Sequence, residues 1–201
     1  MAVLNTSFAA QLRERATRGC LLAGLWLVAA LSLAGATGAP KAQPISPEYQ
    51  VKAVFLFDFA QFAEWPERTF ATAEAPLIIG ILGEDPFGAY LDELIKGEHI
   101  GHRALVVRRY RRVEDALECH ILFVSRSKAK EFGEIFAALT GHSILTIGDA
   151  DNFNRAGGIV RFATENGKIR LKINLDAAKA AQLTISSKIL RPSTLVTADK
   201  E

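Results

Sequence analysis

Four short, mainly apolar runs alternate with segments that suit helices, and this alternation is the feature that most limits the fold. The apolar runs cover residues 77–82, 105–109, 120–125 and 144–147, and the helix-compatible segments between them cover 86–96, 113–118 and 128–139. Strands that are apolar on both faces and separated by helices are typical of a parallel sheet covered on both sides. The sequence therefore predicts an α/β fold, an α/β/α sandwich with a mainly parallel central sheet.

A different pattern near the C-terminus predicts an antiparallel hairpin. Asn166-Gly167 is the two-residue turn that favours a hairpin, and it aligns Arg161 with Lys172. In this register the apolar side chains share one face and a basic set shares the other. The basic set is Arg161, Lys168, Arg170 and Lys172. Such a basic face is stable in contact with water, although binding of an acidic partner would explain it better. Short closing helices are predicted over 175–182 and 186–190.

Residues 46–66 predict an apolar helix that packs against the sheet. Ser46 is a good N-cap, Pro47 suits the first helical turn, and Pro66 marks the end. The helical period of 3.6 residues places a large apolar set on the side that we expect to be buried. That set is Val51, Phe55, Phe59 and Phe62, flanked by Leu56, Ala60 and Ala63.

Three residues of this helix do not fit a simple amphipathic pattern. Val54 and Phe57 fall within the narrow polar arc, where solvation gives no reason for them. Lys52 falls within the apolar arc, and there its side chain either extends past the helix end into solvent or lines a cleft. The candidate ligand cleft would be formed by Tyr49, Lys52 and Phe55.

The N-terminal segment predicts export. Arg13, Arg15 and Arg18 precede an uncharged, Leu- and Ala-rich run over 21–33, which ends in small residues at 34–36. This is typical of a secretory signal peptide, and the run is short for a membrane-spanning helix, which needs about 20 residues. We predict a cleaved signal peptide over 1–36, a linker over 37–46 and one α/β domain over 47–201 in the periplasm. An uncleaved membrane anchor is the alternative.

The net positive charge of the whole chain comes from its N-terminal segment. Four of the 24 Lys and Arg residues, but one of the 22 Asp and Glu residues, lie before residue 43. The exported part is therefore nearly neutral, which does not predict a nucleic-acid-binding protein. Its dense basic run, 108–112, is interpreted as a solvated strand end, with a docking site for an acidic partner as the alternative.

No arrangement of residues indicates catalysis or metal binding. The four histidines show no recognised metal spacing, and no G-x-S-x-G nucleophile elbow is present. Cys119 is the one cysteine after the leader, so we expect a buried thiol without an internal disulfide. Asp149 is interpreted as the N-cap of a short helix over 151–155. The sequence therefore predicts no enzyme, no cofactor and no metal.

Several segments, in order, carry a resemblance to a known family. They are VKAVFLFDFAQFAEWP, LIIGILGEDPFG, CHILFVS, ILTIGDADNF, GGIVRF and KIRLKINLDAAKAAQLTISSKIL. Over residues 48–190 the chain resembles the YfiR family of periplasmic repressor proteins. The resemblance implies a repressor that binds the external domain of an inner-membrane diguanylate cyclase and thereby lowers cyclic di-GMP and biofilm formation.

Two other functions stay open at this point. One is a periplasmic sensor domain that binds a small molecule at the carboxyl ends of the parallel strands and acts on a membrane signalling protein such as a histidine kinase. The other is a hydrolase whose residues are not adjacent in sequence. A homodimer is also left open.

Two surfaces are candidates for contact with a protein partner. The first is the helix over 46–66, through Val54 and Phe57, with Trp65 at its end. The second combines the hairpin residues Arg161 and Lys172 with a C-terminal apolar set. That set is Leu183, Ile185 and Ile189. The resemblance favours the C-terminal region, and the helical pattern favours the first helix.

Overall fold

Ten strands and five helices follow one another along residues 45–197, the part of the chain that the computed structural model describes. The signal peptide predicted over 1–36 and the linker up to residue 44 lie outside it. The helices are α1 (Pro47–Phe62), α2 (Ala89–Ile95), α3 (Phe132–Ala138), α4 (Leu175–Ala180) and α5 (Ser187–Leu190). The strands are β1 (Ala63–Glu64), β2 (Leu77–Leu82), β3 (His99–Ile100), β4 (Arg103–Tyr110), β5 (Ile121–Val124), β6 (Leu145–Gly148), β7 (Val160–Glu165), β8 (Lys168–Asn174), β9 (Thr184–Ile185) and β10 (Thr194–Val196).

The main sheet has eight strands in the order β10-β8-β7-β6-β5-β2-β4-β3. Its five central strands, from β7 to β4, pair in parallel, whereas β7–β8 and β3–β4 are antiparallel. The chain starts the sheet at β2, adds β4 on one side, and then returns to add β5, β6 and β7 on the other. This is a doubly wound sheet whose topological switch point lies between β2 and β5. The predicted mainly parallel α/β sheet is confirmed.

Apolar layers cover both faces of the sheet, as the runs with two apolar faces require. On one face α1 and α2 pack over Ile79, Phe123 and Ile147. On the other face α3 packs with Leu122 and Val124, and the buried free thiol of Cys119 belongs to this second layer. The layer order is therefore helices, sheet, helices.

The C-terminal hairpin has the predicted register. Arg161 lies opposite Lys172, and Phe162 lies opposite Leu171. The turn residues Asn166 and Gly167 adopt φ values of 50° and 71°, the left-handed conformation that this two-residue turn requires. The turn chemistry and the alternation of side chains thus specify the same pairing.

The segment 151–155 is a series of turns rather than the predicted helix. The buried Asn154 side chain donates from Nδ2 to the carbonyl oxygens of Gly158 and Ile159, both at 3.1 Å. Phe153 packs on the backbone of Gly148 and Gly158, where an added Cβ would lie 2.4 and 2.2 Å from its ring atoms. These contacts fold the segment back onto β6.

Helix α1 is rotated relative to the predicted orientation. The fully buried positions include Lys52, Leu56 and Phe59, whereas Val51, which we expected to be buried, is 46% exposed. Ser46 caps the helix, as predicted, because its side chain accepts a hydrogen bond from the Tyr49 N–H. Lys52 faces inward, as its place in the apolar arc predicted, and there it meets the carboxylate of Asp149, which the helical pattern does not reveal.

Candidate functional site

A buried ionic cluster joins the first turns of α1 to the end of β6. Lys52 Nζ lies 2.7 Å from Glu48 Oε1 and 2.6 Å from Asp149 Oδ2. The side chains of Lys52 and Asp149 are each 1% exposed. A buried charge is stable only when it is paired and hydrogen-bonded, so this geometry explains why a lysine occupies the apolar side of α1.

Asp149 is the centre of this cluster. Its Oδ2 also accepts from the Tyr49 hydroxyl at 2.9 Å, and Arg126 Nε lies 3.4 Å from its Oδ1. Arg126 also donates to the Asp149 carbonyl oxygen at 2.7 Å. The expectation that Asp149 is a helix N-cap is therefore wrong, because its carboxylate is used by residues far away in sequence.

The cluster favours the neutral form of the Tyr49 phenol and the anionic form of the Glu48 carboxylate. Burial, reinforced by the Asp149 charge, raises the pKa of Tyr49 to about 12. The hydrogen bond from Lys52 lowers the pKa of Glu48. The phenol therefore stays a neutral donor and Glu48 stays an anion at neutral pH. Such a cluster can anchor a helix, but every charged group in it already has a partner.

Two of the three residues predicted for a ligand cleft meet in this cluster. Tyr49 and Lys52 lie side by side, with Lys52 Nζ 4.3 Å from the centre of the Tyr49 ring. Phe55 lies elsewhere and packs on Phe162 with ring centres 5.9 Å apart. The structure thus places Tyr49 and Lys52 around the Asp149 carboxylate.

At the neighbouring switch point, the loops that follow β2 and β5 are in contact. The Glu84 N–H donates to Ser127 Oγ at 3.0 Å across the loops that follow β2 and β5. An added Cβ on Gly83 would lie 2.6 Å from the same Ser127 oxygen. The two loops therefore touch where doubly wound sheets usually open a ligand crevice.

The C-terminal apolar set predicted as a contact surface is buried. Leu183, Ile185 and Ile189 are 6%, 8% and 7% exposed, and all three belong to the core under α1. Strand β9 pairs with β1, placing Ile185 opposite Ala63. The expectation of an exposed surface here is wrong, because a two-stranded ribbon folds the segment onto the end of α1.

The two hairpin residues predicted for partner contact, Arg161 and Lys172, have partners within the chain. Arg161 donates from Nη2 to Asp151 Oδ1 at 2.9 Å, and its side chain is 12% exposed. Lys172 Nζ lies 3.5 Å from Glu165 Oε1. An acidic partner is therefore not needed to balance Arg161 and Lys172.

Trp65 has a structural role at the opposite edge of the sheet. Its indole Nε1 donates to the His120 carbonyl oxygen at 3.0 Å, and its ring meets the edge of the His120 ring. Phe70 stacks on the same imidazole with ring centres 4.4 Å apart. Trp65 and Phe70 thus fix the segment between α1 and β2 against the start of β5.

The outer face of α1 consists of Val51, Val54, Phe55, Asp58 and Phe62. Among the residues that the structure describes, three large apolar side chains are exposed, and Val51 and Val54 are two of them at 46% and 40%. Phe55, Phe57 and Phe62 are half-buried and pack against the core, and Phe55 and Phe62 lie on the same side of α1 as the two valines. The helical pattern identified Val54 as an unusual apolar residue on the outer face. It did not single out Val51, which it assigned to the buried apolar side, or Asp58, which it assigned to the solvated polar arc.

Residues 45–197 show neither a metal centre nor a membrane-spanning helix. No group of three His, Cys, Asp or Glu side chains there is placed to hold a metal ion. Within the same residues, no helix combines the length and the apolar composition needed to cross a membrane.

A groove lies at the amino edge of the sheet, between α3 and α4. Its volume is about 160 Å³. Its walls are mainly apolar and include Phe136, Leu139, Ile144, Ile159 and Ala177. This is the edge opposite the one at which a ligand cleft was expected.

Comparison with solved structures gives partial likenesses. A conserved domain protein from Vibrio cholerae is 17% identical with a TM-score of 0.43, and the match covers 59% of this chain and 54% of that one. An ABC domain from Streptococcus pneumonia, solved in complex with L-Trp, is 12% identical with a TM-score of 0.44, covering 60% and 55%. This chain thus spans about half the length of each, and neither likeness bears on function.

Sequence comparison is more informative. No protein with a curated description matches the chain. The family described as YfiR/HmsC-like matches residues 49–194, from the first turn of α1 to the first residue of β10. Because this match covers most of the chain, including the five central parallel strands of the sheet, the chain belongs to the YfiR/HmsC-like family.

Proposed function

We propose that this chain is a periplasmic repressor that binds the external domain of an inner-membrane diguanylate cyclase and holds the cyclase inactive. Membership of the YfiR/HmsC-like family, whose domain is regulatory and is not a known enzyme, supports the regulatory role. Repression itself, the identity of the cyclase and the periplasmic location belong to the proposal.

One observation carries the proposed mode of contact, namely the exposure of Val51 and Val54 on adjacent turns of α1. Single exposed apolar residues are common on protein surfaces, but a continuous apolar strip is typical of a contact site. Here the half-buried rings of Phe55 and Phe62 continue the strip along the helix. The other predicted surfaces are buried or paired within the chain, which leaves the outer face of α1 as the best-supported site.

The buried ionic cluster supports the same proposal. Lys52 and Tyr49 fix the rotation of α1 through Asp149, so the outer face is presented before any partner arrives. A surface that is already ordered loses less conformational entropy on binding. The charged cluster thus acts as an anchor for the helix rather than as a reaction centre.

Gene deletion tests the proposal. Deleting the gene should raise cyclic di-GMP, surface attachment and matrix production, and re-expression of the full chain should reverse all three. Inactivating the responsible cyclase in the deletion strain should abolish the increase. Unchanged cyclic di-GMP after deletion, in a strain that contains active membrane cyclases, would contradict the proposal.

A small-molecule sensor is the second candidate, and the groove between α3 and α4 favours it. Its volume of about 160 Å³ matches the size of one aromatic ring, since cavities of about 150 Å³ can bind benzene. Thermal-shift measurements with small aromatic compounds test this candidate. A shift that disappears in Ala177→Phe, which fills the groove, would support it, and no shift with any compound would contradict it.

A further inference from the structure

Asp58 stands in the middle of the outer face of α1. It lies one helical turn from Val54 and Phe55 on one side and one turn from Phe62 on the other, because residues three and four apart share a helix face. Its side chain is half-buried. A carboxylate in such surroundings has lost part of its hydration.

No group in the described part of the chain compensates Asp58. Within residues 45–197 it has no hydrogen-bond donor and no paired cation. Burial alone raises its pKa, with no contribution from a neighbouring charge. Lys188, a cation beside this face, places Nζ over the Phe62 ring, 5.0 Å from its centre. Asp58 thus differs from Asp85, Asp92, Asp149 and Asp151, each of which pairs with an arginine or lysine.

We propose that the outer face of α1 binds a partner surface that carries a Lys or Arg side chain within an apolar patch, and that this cation pairs with Asp58. The inference rests on the proposed function, because the partner is the external domain of the repressed cyclase. The pair between Asp58 and a Lys or Arg of the partner is the contact by which the partner would be recognised.

The partner surface must suit both the Asp58 carboxylate and the apolar residues around it. A wholly apolar partner would bury Asp58 without compensation, which costs several kcal/mol for an isolated carboxylate. A wholly basic partner would leave Val51 and Val54 without apolar contacts. A cation surrounded by apolar side chains satisfies both, and such charge pairs shielded from water by apolar neighbours form the centres of many interfaces.

The inference predicts that Asp58 serves binding and not folding. Asp58→Asn keeps the shape and removes the charge, so the free protein should be as stable as the wild type or more stable. Its affinity for the partner should fall about tenfold or more, as for the loss of a buried interfacial charge. Glu93→Gln is the matched control, because Glu93 is an exposed acid on α2 that pairs with Lys96.

The experiment re-expresses the full chain in the deletion strain as wild type, Asp58→Asn, Asp58→Lys or Glu93→Gln. Cyclic di-GMP is measured in each strain, and the melting temperature of each purified protein is recorded. Both Asp58 variants should lose repression without a lower melting temperature, with Asp58→Lys losing more, and Glu93→Gln should repress as the wild type does. Replacing the partner's contacting Lys or Arg by Glu should restore repression by Asp58→Lys alone.

Two outcomes overturn the inference, and only the second also overturns the proposed function. If deletion raises cyclic di-GMP but Asp58→Asn represses as well as the wild type, the inference is wrong and the proposed function stands. If deletion leaves cyclic di-GMP unchanged, the proposed function fails and the inference fails with it.

Discussion

Lys52 and Asp149 are 97 positions apart in sequence, yet Lys52 Nζ lies 2.6 Å from Asp149 Oδ2 in a fully buried pair. The contact joins the first helix to the loop that follows β6. It also sets the rotation of α1, because a buried ammonium group cannot leave its carboxylate without a large cost. Together with the buried apolar residues Leu56 and Phe59, this contact leaves Val51 and Val54 exposed on the outer face of the helix.

Removing one partner of the pair should destabilise the protein strongly. Lys52→Met removes the buried positive charge that pairs with the Asp149 carboxylate. Because the carboxylate stays buried, we expect a loss of about 3–5 kcal/mol in the free energy of unfolding. Urea denaturation monitored by tryptophan fluorescence measures the loss. Glu48→Gln, which changes the more exposed partner of Lys52, is the control and should cost less than about 1 kcal/mol.

A double-mutant cycle shows whether the cost is that of an unpaired charge. Lys52→Met combined with Asp149→Leu removes both charges, so the double variant should lose clearly less than the sum of the two single losses. Additive losses would show that Lys52 and Asp149 do not act as a pair.

His120 should make the protein less stable in mild acid. Burial lowers the pKa of this imidazole to about 4, whereas the unfolded chain titrates near pH 6.5. As the pH falls between these values the unfolded state takes up a proton that the folded state does not, so stability falls by up to about 1.4 kcal/mol per pH unit. Above pH 6.5 both states are neutral and this contribution to the pH dependence disappears.

An asparagine variant isolates this effect from that of the carboxylates. His120 Nδ1 accepts from the Ile78 N–H at 3.1 Å, and the side-chain oxygen of His120→Asn can replace that acceptor. The variant should lose less stability than the wild type between pH 6.5 and pH 4, as followed by the melting temperature. His142→Asn, at an exposed histidine, should keep the wild-type slope. Equal slopes for wild type and His120→Asn would refute the assignment.

Two glycines should respond in opposite directions to the same substitution. In Gly148→Ala the new Cβ would lie 2.4 Å from the Phe153 ring, so we expect a loss of about 1–3 kcal/mol from overpacking. In Gly133→Ala the methyl group meets no atom within 4 Å on helix α3, so a gain of about 0.5–1 kcal/mol is expected. Chemical denaturation of both variants checks the pair, and similar effects would contradict the packing.

The parts of the fold that sequence reasoning predicted correctly depend on local patterns. Strand β2 was predicted with its observed bounds, since a continuous apolar run can be buried on both faces of a sheet. The hairpin register followed from Asn166-Gly167 and the alternation of side chains. Strands β1, β3, β9 and β10 were missed, because two- and three-residue strands form through tertiary pairing rather than through pattern.

The candidate site could be predicted only in part, because it depends on long-range contacts. Lys52 was recognised as unusual, but its partner Asp149 was interpreted as a local cap. Nothing in the sequence indicates that β1 and β9 pair, so Ile185 was expected to be exposed although it is buried. Burial of the C-terminal segment and exposure of Val51 are therefore results of the structure.

Stability measurements should separate a core residue from a surface residue. Ile185→Asp places a charge in the core under α1 and should cost about 3 kcal/mol or more, enough to reduce accumulation of the protein. Val54→Asp lies on the exposed face and should change stability by about 0.5 kcal/mol or less. Thermal melts of both variants, with soluble yield as a second readout, check this contrast. A folded, stable Ile185→Asp protein would contradict the burial.

We propose that the protein represses a diguanylate cyclase through the outer face of α1. The concentration of cyclic di-GMP in a complemented deletion strain tests this proposal most directly. Wild type and the control Glu93→Gln should return cyclic di-GMP to the parental level. Val54→Asp, at equal protein abundance, should leave it near the level of the deletion strain, because a charge in an apolar interface weakens binding. Full repression by Val54→Asp combined with Val51→Asp would contradict the account.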